Sequence, residues 1–554
     1  RQLVRGRMLR GHGRSTTLLI LVAAFALLSA LPDAAADQRD LYAGIEFSDD
    51  PNELIWLFPE YVVEGTRLFG PYSVTQIDAE VIEETGARDL SEALELVPGI
   101  AVRTNSRGEA NLSMRGLSER ELVVLVDGVP ISDAYTGAVN TALMPAGAID
   151  RVTVTRGPVA SVYGANAIGG VVEVTTARPD GTGLGYFMST GSDGRYSGYV
   201  SVSTSVQGVA LTGGVATNGS DDFTLPDSYE GEDWEDGGER DFSDYSNTSA
   251  WARASWALAK NLDASVSFQI AENERDAPAS TSSDRPRFWS FPYWRETRTI
   301  GSVRWEPSSS MFVEGRAFLG TNDNQLASHS DFERTDRQWL STMENKVYGG
   351  YVYSEMATRG GHNVAVGVNV KVDDVSQQDD VGEEWSEYEA TTVSLFGQDV
   401  FELGENDRLA IAANVDAMSG DDVNLASFNP QASWTRRFGA GMSVRLLGGI
   451  KTRFPTLKEW FSPSIGNPDL DPEKSVSLET EFTKKTDWGA RFSVLAYGQW
   501  IEDMIVSSGK HDPCENVGKV TTLGTEFAAA YRVSKSLELG LGLEATSARD
   551  DGTE

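Results

Sequence analysis

The sequence predicts a membrane-spanning antiparallel β-barrel of about 17 strands that follows a small α+β domain. Three observations support this fold class. The N-terminus has the pattern of an export signal, the segments after residue 178 alternate between apolar and polar residues, and tight turns alternate with long polar loops. A water-soluble β-sandwich would show the same period of two, so the export signal and the unequal connections decide between the classes.

The N-terminal residues have the pattern of a secretory signal. Arg10 and Arg14 precede an apolar run at 17–31, and small residues at 34–36 offer a cleavage site before Asp37. The run is shorter than the roughly 20 residues that a membrane-spanning helix needs. We therefore expect residues 1–36 to be a signal peptide and the mature chain to lack a transmembrane helix.

Composition and charge exclude several classes of partner and site. The 554 residues include 47 Lys and Arg against 82 Asp and Glu, a formal net charge of −35. This acidity argues against nucleic acid and anionic membrane surfaces as partners. One cysteine, Cys514, excludes a disulfide within this chain. We expect it to have no role, and the alternatives are an unpaired loop thiol or a pairing partner beyond the chain end. The four histidines are too scattered for a zinc motif.

Two segments precede the barrel. Residues 37–66 are acidic and broken by Pro51 and Pro59, which is typical of a flexible arm. Within the arm, the β-prone run 60–64 either adds to a partner's sheet edge or begins the next domain. The pattern of residues 67–178 predicts that they form the α+β domain. Helices are expected at 77–85 and 90–97, strands at 121–126 and 149–155, and a turn at Asp127 and Gly128.

The glycine-rich stretch 156–176 ends the small domain. Its glycines and single proline punctuate short apolar runs, which predicts tight turns leading into a strand at 171–175. Glycines allow close backbone packing, so we expect this segment to lie against a wall. A phosphate-binding loop is disfavoured, because such a loop has Lys followed by Ser or Thr and then a helix, whereas a strand follows here.

The barrel prediction depends on the alternation and on the connections. At 262–270 and 363–372, one face of each segment is apolar along its whole length and the other is polar, as in strands between lipid and a wet lumen. Short turns are expected at 207–208, 259–261, 306–310, 359–361, 404–407, 439–441 and 487–489. Long loops are expected near 218–247, 273–292, 321–338, 374–388, 418–427, 455–474 and 507–518.

Several motifs carry a resemblance to a known family. They are 114–117 (MRGL), 122–129 (LVVLVDGV), 149–158 (IDRVTVTRGP), 163–170 (YGANAIGG), 454–457 (FPTL) and 467–473 (NPDLDPE). In these motifs the chain resembles the TonB-dependent outer-membrane receptors, nearly continuously over the small domain and in one barrel loop. The resemblance implies that 67–178 is a plug inside a barrel that begins at 179.

The family has 22 barrel strands, whereas we count about 17 here, so we expect roughly five strands to be missing after residue 554. The resemblance also implies a monomer in the outer membrane, in contact with lipid and lipopolysaccharide, whose plug and arm face the periplasm. It implies active import of a scarce metal chelate, most simply a ferric siderophore, energised by TonB with ExbB and ExbD. A cobalamin receptor and a passive porin are the alternatives. No nucleophile and base stand out, so an enzyme is not expected.

Charged residues suggest how the plug is held. Buried arginines need partners, and Glu479 and Glu526 fall on the polar faces of their strands. The resemblance points to the same lock, between Arg115 and Arg156 of the plug and these two glutamates. The alternative is that the glutamates simply line the lumen.

The family's TonB box lies near the mature N-terminus. The best candidate is the run of Tyr61, Val62, Val63, Glu64 and Gly65.

Ligand and metal candidates lie in two predicted loops. Loop 273–296 gathers aromatics and cations suited to a planar, partly anionic ligand, although its aromatics, Tyr293 and Trp294 above all, also suit a membrane-interface girdle. The ligand candidates are Arg285, Arg287, Phe288, Trp289 and Arg295. Loop 218–247 is acidic, and its candidate calcium ligands are Asp221, Asp222, Asp233 and Asp236. The alternative is a solvated acidic loop that divalent ions bridge to lipopolysaccharide. The family's haem receptors use a histidine between the motifs that correspond to 454–457 and 467–473. Because 454–470 and the plug contain no histidine, the resemblance disfavours haem.

Overall fold

The computed structural model describes residues 73–550 apart from positions 106, 158–163, 179–180, 282–285, 359, 421–422, 440, 508–511 and 535–536. The predicted signal peptide, the arm with residues 61–65, and Arg285 lie outside the described residues. Within the described part, no helix is both long and apolar enough to cross a bilayer. Two units follow each other along the chain, a small α+β domain and a large ring of strands.

The small domain consists of eight strands and two short α-helices among the described residues. They are β1 (Ser73–Asp78), α1 (Ala79–Thr85), α2 (Leu90–Glu95), β2 (Ile100–Thr104), β3 (Ala110–Met114), β4 (Leu117–Ser118), β5 (Leu122–Val126), β6 (Val129–Pro130), β7 (Ile149–Arg156) and β8 (Gly170–Thr176). One sheet has the order β1-β7-β8-β5-β6, and the other has the order β2-β3-β4. Apolar side chains of both helices and of β3, β5, β7 and β8 form one core.

Local sequence explains most of these boundaries. Gly86 ends α1 with a φ of 73°, and Asp127 and Gly128 form the tight turn after β5 with φ of 47° and 73°. The first predicted helix begins too early, because Ile77 belongs to β1 and pairs with Val152 of β7. Ile77 faces the same core as the helical Ile82, so the end of the strand imitates helical spacing.

Within the described part of the chain, seventeen strands form the ring, as the sequence predicts. They are β9 (Gly183–Thr190), β10 (Tyr196–Val206), β11 (Val209–Ser220), β12 (Tyr245–Ala259), β13 (Leu262–Ala277), β14 (Phe288–Ser308), β15 (Met311–His329), β16 (Arg337–Ala357), β17 (His362–Gln378), β18 (Ser386–Glu402), β19 (Asp407–Gly420), β20 (Val423–Phe438), β21 (Met442–Arg453), β22 (Glu473–Lys485), β23 (Ala490–Val506), β24 (Glu515–Ser534) and β25 (Leu537–Asp550). Each strand is antiparallel to the next, and the ring closes between β25 and β9. Because the number is odd, the two strands at the closure run in the same direction.

The alternation of residues separates two environments. On β17, Val366 and Val370 are exposed on the outer face, whereas Asp373 and Val375 on the opposite face are buried. An apolar outer face is the surface that lipid requires, and polar groups on the inner face are left for the lumen. The expected pattern of a membrane barrel is therefore present.

The connections differ at the two ends of the ring. All seven predicted short turns lie at one end, which we call the short-turn end, and the long connections lie at the other, the long-loop end. The predicted long loops are too long. For example, β13 reaches Ala277 and β14 begins at Phe288, so 278–287 remains of the predicted 273–292. Beyond the lipid both faces of a strand contact water, so backbone pairing continues there while the alternation of apolar and polar residues stops. The sequence pattern therefore places the strand ends too early.

The small domain lies inside the ring. Its contacts reach strands on all sides, from Tyr199 on β10 and Arg253 on β12 to Asn345 on β16, Thr452 on β21 and Glu526 on β24. A body that lay beside the ring would contact only neighbouring strands. The lumen is thus occupied by a folded stopper.

Candidate functional site

The contact between Arg115 and two wall glutamates is the first part of the site. Arg115 and Gly116 form the tight turn between β3 and β4, with φ of 54° and 83°, which projects the arginine toward the wall. Its NH1 donates to Oε1 of Glu479 at 2.6 Å, and its Nε donates to Oε1 of Glu526 at 2.8 Å. The guanidinium also lies 4.1 Å from the centroid of the Tyr497 ring. Hydrogen bonds therefore join three of the four predicted lock residues.

Arg156, the fourth predicted lock residue, makes a longer ion pair with the wall and hydrogen bonds within the small domain. Its NH1 donates to Oγ1 of Thr75 at 3.0 Å and its NH2 to the Pro98 carbonyl at 2.7 Å, so it joins β7 to other parts of the small domain. Its nearest wall contact is a 3.9 Å approach to Glu526. Neighbouring Gly157 leaves room for the wall, since a Cβ there would lie 2.1 Å from Oε1 of Glu479.

A second ion pair holds the small domain on another side of the ring. NH1 of Arg253 on β12 donates to Oδ2 of Asp127 at 2.9 Å, and both side chains are largely buried. Asp127 also accepts hydrogen bonds from the backbone and hydroxyl of Thr176, at the end of β8. The sequence marked Asp127 only as a turn residue. Arg253 lies on the polar face of β12, and this position is the signal in the sequence that could have suggested it as a partner for Asp127.

A third group of charges lies at the long-loop end. Arg453, the last residue of β21, donates to Glu473 at 2.6 and 2.8 Å and to Glu459 at 2.9 Å. Two residues of the small domain complete the network, since Glu121 approaches Arg453 at 3.9 Å and Arg120 donates to Glu459 at 2.9 Å. The sequence motifs around 454–473 flank this network, but nothing in them indicated its partners in the small domain.

Glu459 joins this network to the local fold of the loop. It lies in the short helix α3 (Leu457–Phe461) and forms a capping box with Thr456. Burial opposes ionisation of this carboxyl, yet the charge and hydrogen bonds of Arg453 lower the pKa of Glu459 to about 2. The glutamate is therefore ionised at neutral pH and needs its cationic partners.

An open cavity lies between the small domain and the wall near the long-loop end. Its charged lining residues are Arg120, Asp133, Lys371, Asp373 and Arg453. Lys371 is paired with Asp373 at 2.8 Å, and Asp133 accepts hydrogen bonds from the backbone of its own loop. Of the charged residues that line the cavity, Arg120 is the cation with substantial exposure.

Aromatic side chains stack beside this cavity. The ring of Tyr135 from the small domain lies 6.2 Å from that of Tyr388 on β18, which in turn lies 5.6 Å from Phe461 of α3 with an interplanar angle of 2°. Burial raises the pKa of Tyr135 to about 12, so its hydroxyl stays protonated at neutral pH. The stack offers flat apolar surface next to the polar lining of the cavity.

The predicted ligand residues near β14 lie elsewhere, and none of those described lines the cavity. Arg287 lies 4.6 Å from the Trp289 ring, and Phe288 packs edge-on against Phe332. Arg295 pairs with Glu272 at 2.6 Å and packs against Tyr293, on the opposite face of β14 from the buried Trp294. Arg295 therefore faces away from the lumen, and the burial of Trp294 excludes a membrane girdle role for that residue.

The acidic connection between β11 and β12 brings together a different set from the one predicted. Oxygens of Glu235, Asp236 and Asp241 lie within 4.8 Å of one another, and Glu235 is also paired with Arg240 at 2.6 Å. Asp221, Asp222 and Asp233 are outside this group. Asp222 instead accepts backbone hydrogen bonds from Ser243 and Asp244. Calcium binding stays a prediction.

Comparisons with known proteins agree with this arrangement. The family model described as the TonB-dependent receptor plug domain matches residues 68–171, and the model described as the TonB-dependent receptor-like β-barrel matches 179–554. An iron-regulated outer membrane virulence protein of Vibrio cholerae is 26% identical over 518 residues, covering 85% of this chain and 74% of that protein. The vitamin B12 transporter BtuB of Vibrio vulnificus is 25% identical over 465 residues, covering 80% and 69%.

Solved structures show the same fold. The copper transporter OprC superposes with a TM-score of 0.74 at 16% identity, covering 86% of this chain and 79% of that one. The FrpB iron transporter from Neisseria meningitidis superposes with a TM-score of 0.73 at 13% identity, covering 86% and 80%.

Proposed function

Because the chain belongs to the TonB-dependent receptor family, we propose that it imports a ferric siderophore across the bacterial outer membrane. Members of this family are transporters and receptors rather than enzymes. In this proposal the small domain is the plug, the long-loop end faces the medium, and the short-turn end faces the periplasm. TonB, coupled to ExbB and ExbD, supplies the energy, and residues 61–65 are the segment that it grips.

One observation carries the proposal: a folded plug fills the lumen and is fastened to the wall by buried ion pairs. The Arg115 contacts with Glu479 and Glu526 and the pair of Asp127 with Arg253 are formed on different sides of the ring. A plug held in this way blocks passive flow, so passage of a solute requires work on the plug. That requirement favours energised import over a passive porin.

The cavity at the long-loop end supports a metal chelate as substrate. It presents an exposed guanidinium, that of Arg120, and the stacked rings of Tyr135, Tyr388 and Phe461 lie on segments adjacent to its lining residues. A ferric siderophore presents anionic oxygen donors and often aromatic rings, which suit a cation and flat apolar surfaces respectively. Cobalamin is the second candidate, because relatives that transport vitamin B12 are as similar to this chain as the iron-regulated ones.

Uptake by whole cells tests the proposal. Cells that express the receptor are given radiolabelled iron as a panel of ferric siderophores, or labelled cobalamin, with TonB present or deleted. We expect accumulation of at least one ferric siderophore that depends on TonB. Accumulation of cobalamin alone would support the second candidate, and sugar permeation through the purified receptor in liposomes without TonB would support a porin.

A further inference from the structure

Two neighbouring connections at the short-turn end carry an excess of positive charge. They are the β20–β21 connection with its strand ends, 436–444, and the β22–β23 connection with its strand ends, 483–492. Their only acidic residue is Asp487, whereas their five cations are Arg436, Arg437, Lys484, Lys485 and Arg491. We call this surface the basic rim. It is a local exception in a chain whose net charge is −35.

The two connections form one surface, because Lys485 donates its backbone N–H to the Gly441 carbonyl at 2.8 Å. The carboxylates that approach this surface belong to the neighbouring connection between β18 and β19. NH1 of Arg436 lies 3.8 Å from Oδ1 of Asp407. NH2 of Arg437 lies 3.6 Å from Oε1 of Glu402. Both distances exceed those of a hydrogen-bonded ion pair, so these carboxylates offset the rim only in part.

A wider count leaves the excess in place. The β18–β19 connection with its strand ends, 400–409, adds one cation and three carboxylates. With this connection included, six cations stand against four carboxylates. The positive sign of the basic rim therefore does not depend on where its border is drawn.

Two cations of the basic rim point outward, toward lipid. Alternation along β20 places Arg436 on the same face as Phe438, and the Arg436 side chain is 48% exposed. Alternation along β22 places Lys484 on the face that carries the exposed Phe482. The remaining apolar residues of these faces contact lipid, so both cations lie on the lipid-facing surface of the barrel.

These two cations lie among apolar residues rather than beyond them. Arg436 is in register with Val444 of β21, and Lys484 is in register with Met442 on one side and Phe492 on the other. A cation on the lipid face of a barrel is costly unless its charged end reaches the headgroup level. Both side chains therefore need an anion at that level.

Aromatic rings mark this level as the membrane interface. Trp488 lies in the turn between β22 and β23 and is well exposed. Its ring packs edge-on against Tyr531 of β24, with the ring centroids 5.0 Å apart. Trp and Tyr are enriched where a barrel passes through the lipid headgroups. The headgroups are thus expected at the height of the basic rim.

We propose that the basic rim binds an anionic phospholipid, whose phosphate lies between the outward side chains of Arg436 and Lys484. Their Cα atoms are two strand spacings and two residues apart, roughly 12 Å, which two long side chains bridge through one phosphate. The acyl chains then lie along the exposed rings of Phe438 and Phe482. The net charge of the whole chain opposes anionic lipid, but a headgroup interacts mainly with charges within about 10 Å.

This inference adds a lipid partner to the proposed import function and rests on it for the source of the lipid. In that proposal the short-turn end faces the periplasm, and the periplasmic leaflet of the outer membrane consists of phospholipids rather than lipopolysaccharide. The lipid site itself is tested on the purified receptor without any transport. Its test and the uptake test can therefore fail independently.

Native mass spectrometry of the receptor in detergent tests the inference. The receptor is given phosphatidylglycerol and phosphatidylcholine at equal concentrations, and the ratio of the two bound lipids is measured. Each cation near an anionic lipid surface strengthens binding roughly fivefold. Because Asp407 offsets part of the charge of Arg436, we expect R436Q/K484Q to lower the preference for phosphatidylglycerol by about tenfold. R436K/K484R should retain the preference.

K346Q/K519Q is the matched control. Lys346 and Lys519 share the outer faces of their strands with the exposed Tyr348 and Leu523, and their side chains are 48% and 69% exposed. They lie toward the long-loop end, where each pairs with a carboxylate. The control removes the same charge from the outer face and should keep the preference. An equal loss in the control would show that total charge, not the basic rim, selects the lipid.

Four other results would overturn the inference. The first is a wild type without preference, or R436Q/K484Q with an unchanged one. The second is stronger retention of lipopolysaccharide than of phosphatidylglycerol in a mixture of both. The third is loss of the preference when excess inorganic phosphate is added, which would show a site for free phosphate. The fourth is an equal loss of both phospholipids in R436Q/K484Q, which would show damage to the surface. Import stands in all four cases, because Arg436 and Lys484 face away from the lumen.

Discussion

Removing Arg115 should unfasten the plug more than any other single change at the predicted lock. Its guanidinium is buried and meets two glutamates, of which Glu479 is 2% exposed and Glu526 is 18% exposed. Two unit charges about 4 Å apart attract by ~4 kcal/mol at the effective dielectric constant suited to protein sites. Arg115→Met leaves the Glu479 carboxylate buried without that partner, so we expect a loss of ~3–5 kcal/mol in the stability of the docked plug.

The two glutamates should differ in the size of their effects. Glu479→Gln leaves Arg115 with Glu526 and should cost roughly 2–3 kcal/mol, and Glu526→Gln should cost about 1 kcal/mol because water screens that partly exposed group. The double variant R115M/E479Q should be less destabilised than the sum of its single variants, since neither charge remains alone. Arg156→Met serves as the comparison, because its main hydrogen bonds lie within the plug.

Limited proteolysis of the receptor in detergent, over a urea series, measures this effect through the rate at which the plug becomes cleavable. The urea concentration at which the plug becomes half cleavable, the midpoint, should be well below that of the wild type for R115M, while cleavage of the barrel is unchanged. The midpoints are converted into free energies of plug unfolding. A value for R115M within about 1 kcal/mol of the wild type would refute the reasoning, because a buried carboxylate without its partner should destabilise the docked plug by more than that.

Three further predictions address other parts of the chain. Deleting residues 58–66 should leave ligand binding intact and stop uptake; continued uptake would show that the TonB box lies elsewhere. Asp127→Asn should lose ~2 kcal/mol of plug stability, because Arg253 loses its 2.9 Å ion pair with this carboxylate, and Arg253→Met should relieve part of that loss in the double variant. The pKa of Glu459 is lower in the folded state than its ordinary value of 4.5, so its contribution of about 3 kcal/mol is present above pH 4.5 and declines as the pH falls toward 2. The protection of the 454–472 amides, measured as exchange relative to the intrinsic rate at each pH, should therefore fall in acid in the wild type and depend less on pH in E459Q.

Much of the barrel could be predicted from the sequence because lipid imposes a simple rule on it. Val366 and Val370 had to be apolar where they face lipid, and tight turns needed residues such as Gln207 and Gly208, both with positive φ. The strand ends at the long-loop end were missed for the same reason. Without lipid on one face, the backbone of β14 around Phe288 pairs without leaving a pattern in the side chains.

The site was only partly predictable from the sequence. Pairing between a plug residue and a wall residue depends on the register of the barrel strands and on how deep in the lumen each plug residue lies. Glu479 and Glu526 could be placed on inward faces by alternation alone, and a buried plug arginine was the natural partner. Alternation does not reveal which arginine reaches them, and Arg115 does so because its turn projects toward β22 and β24, whereas Arg156 points into the plug. Contacts such as Arg120 with Glu459, 339 positions apart, leave no local signal.

The ion pairs between plug and wall differ in how far they are exposed to the cavity. Arg115 and Asp127 are enclosed with their wall partners, so a solute in the cavity cannot compete for them. Arg120 is open to the cavity, so a charged solute there can compete with Glu459. Release of the remaining pairs requires work on the plug, which is what dependence on TonB would provide.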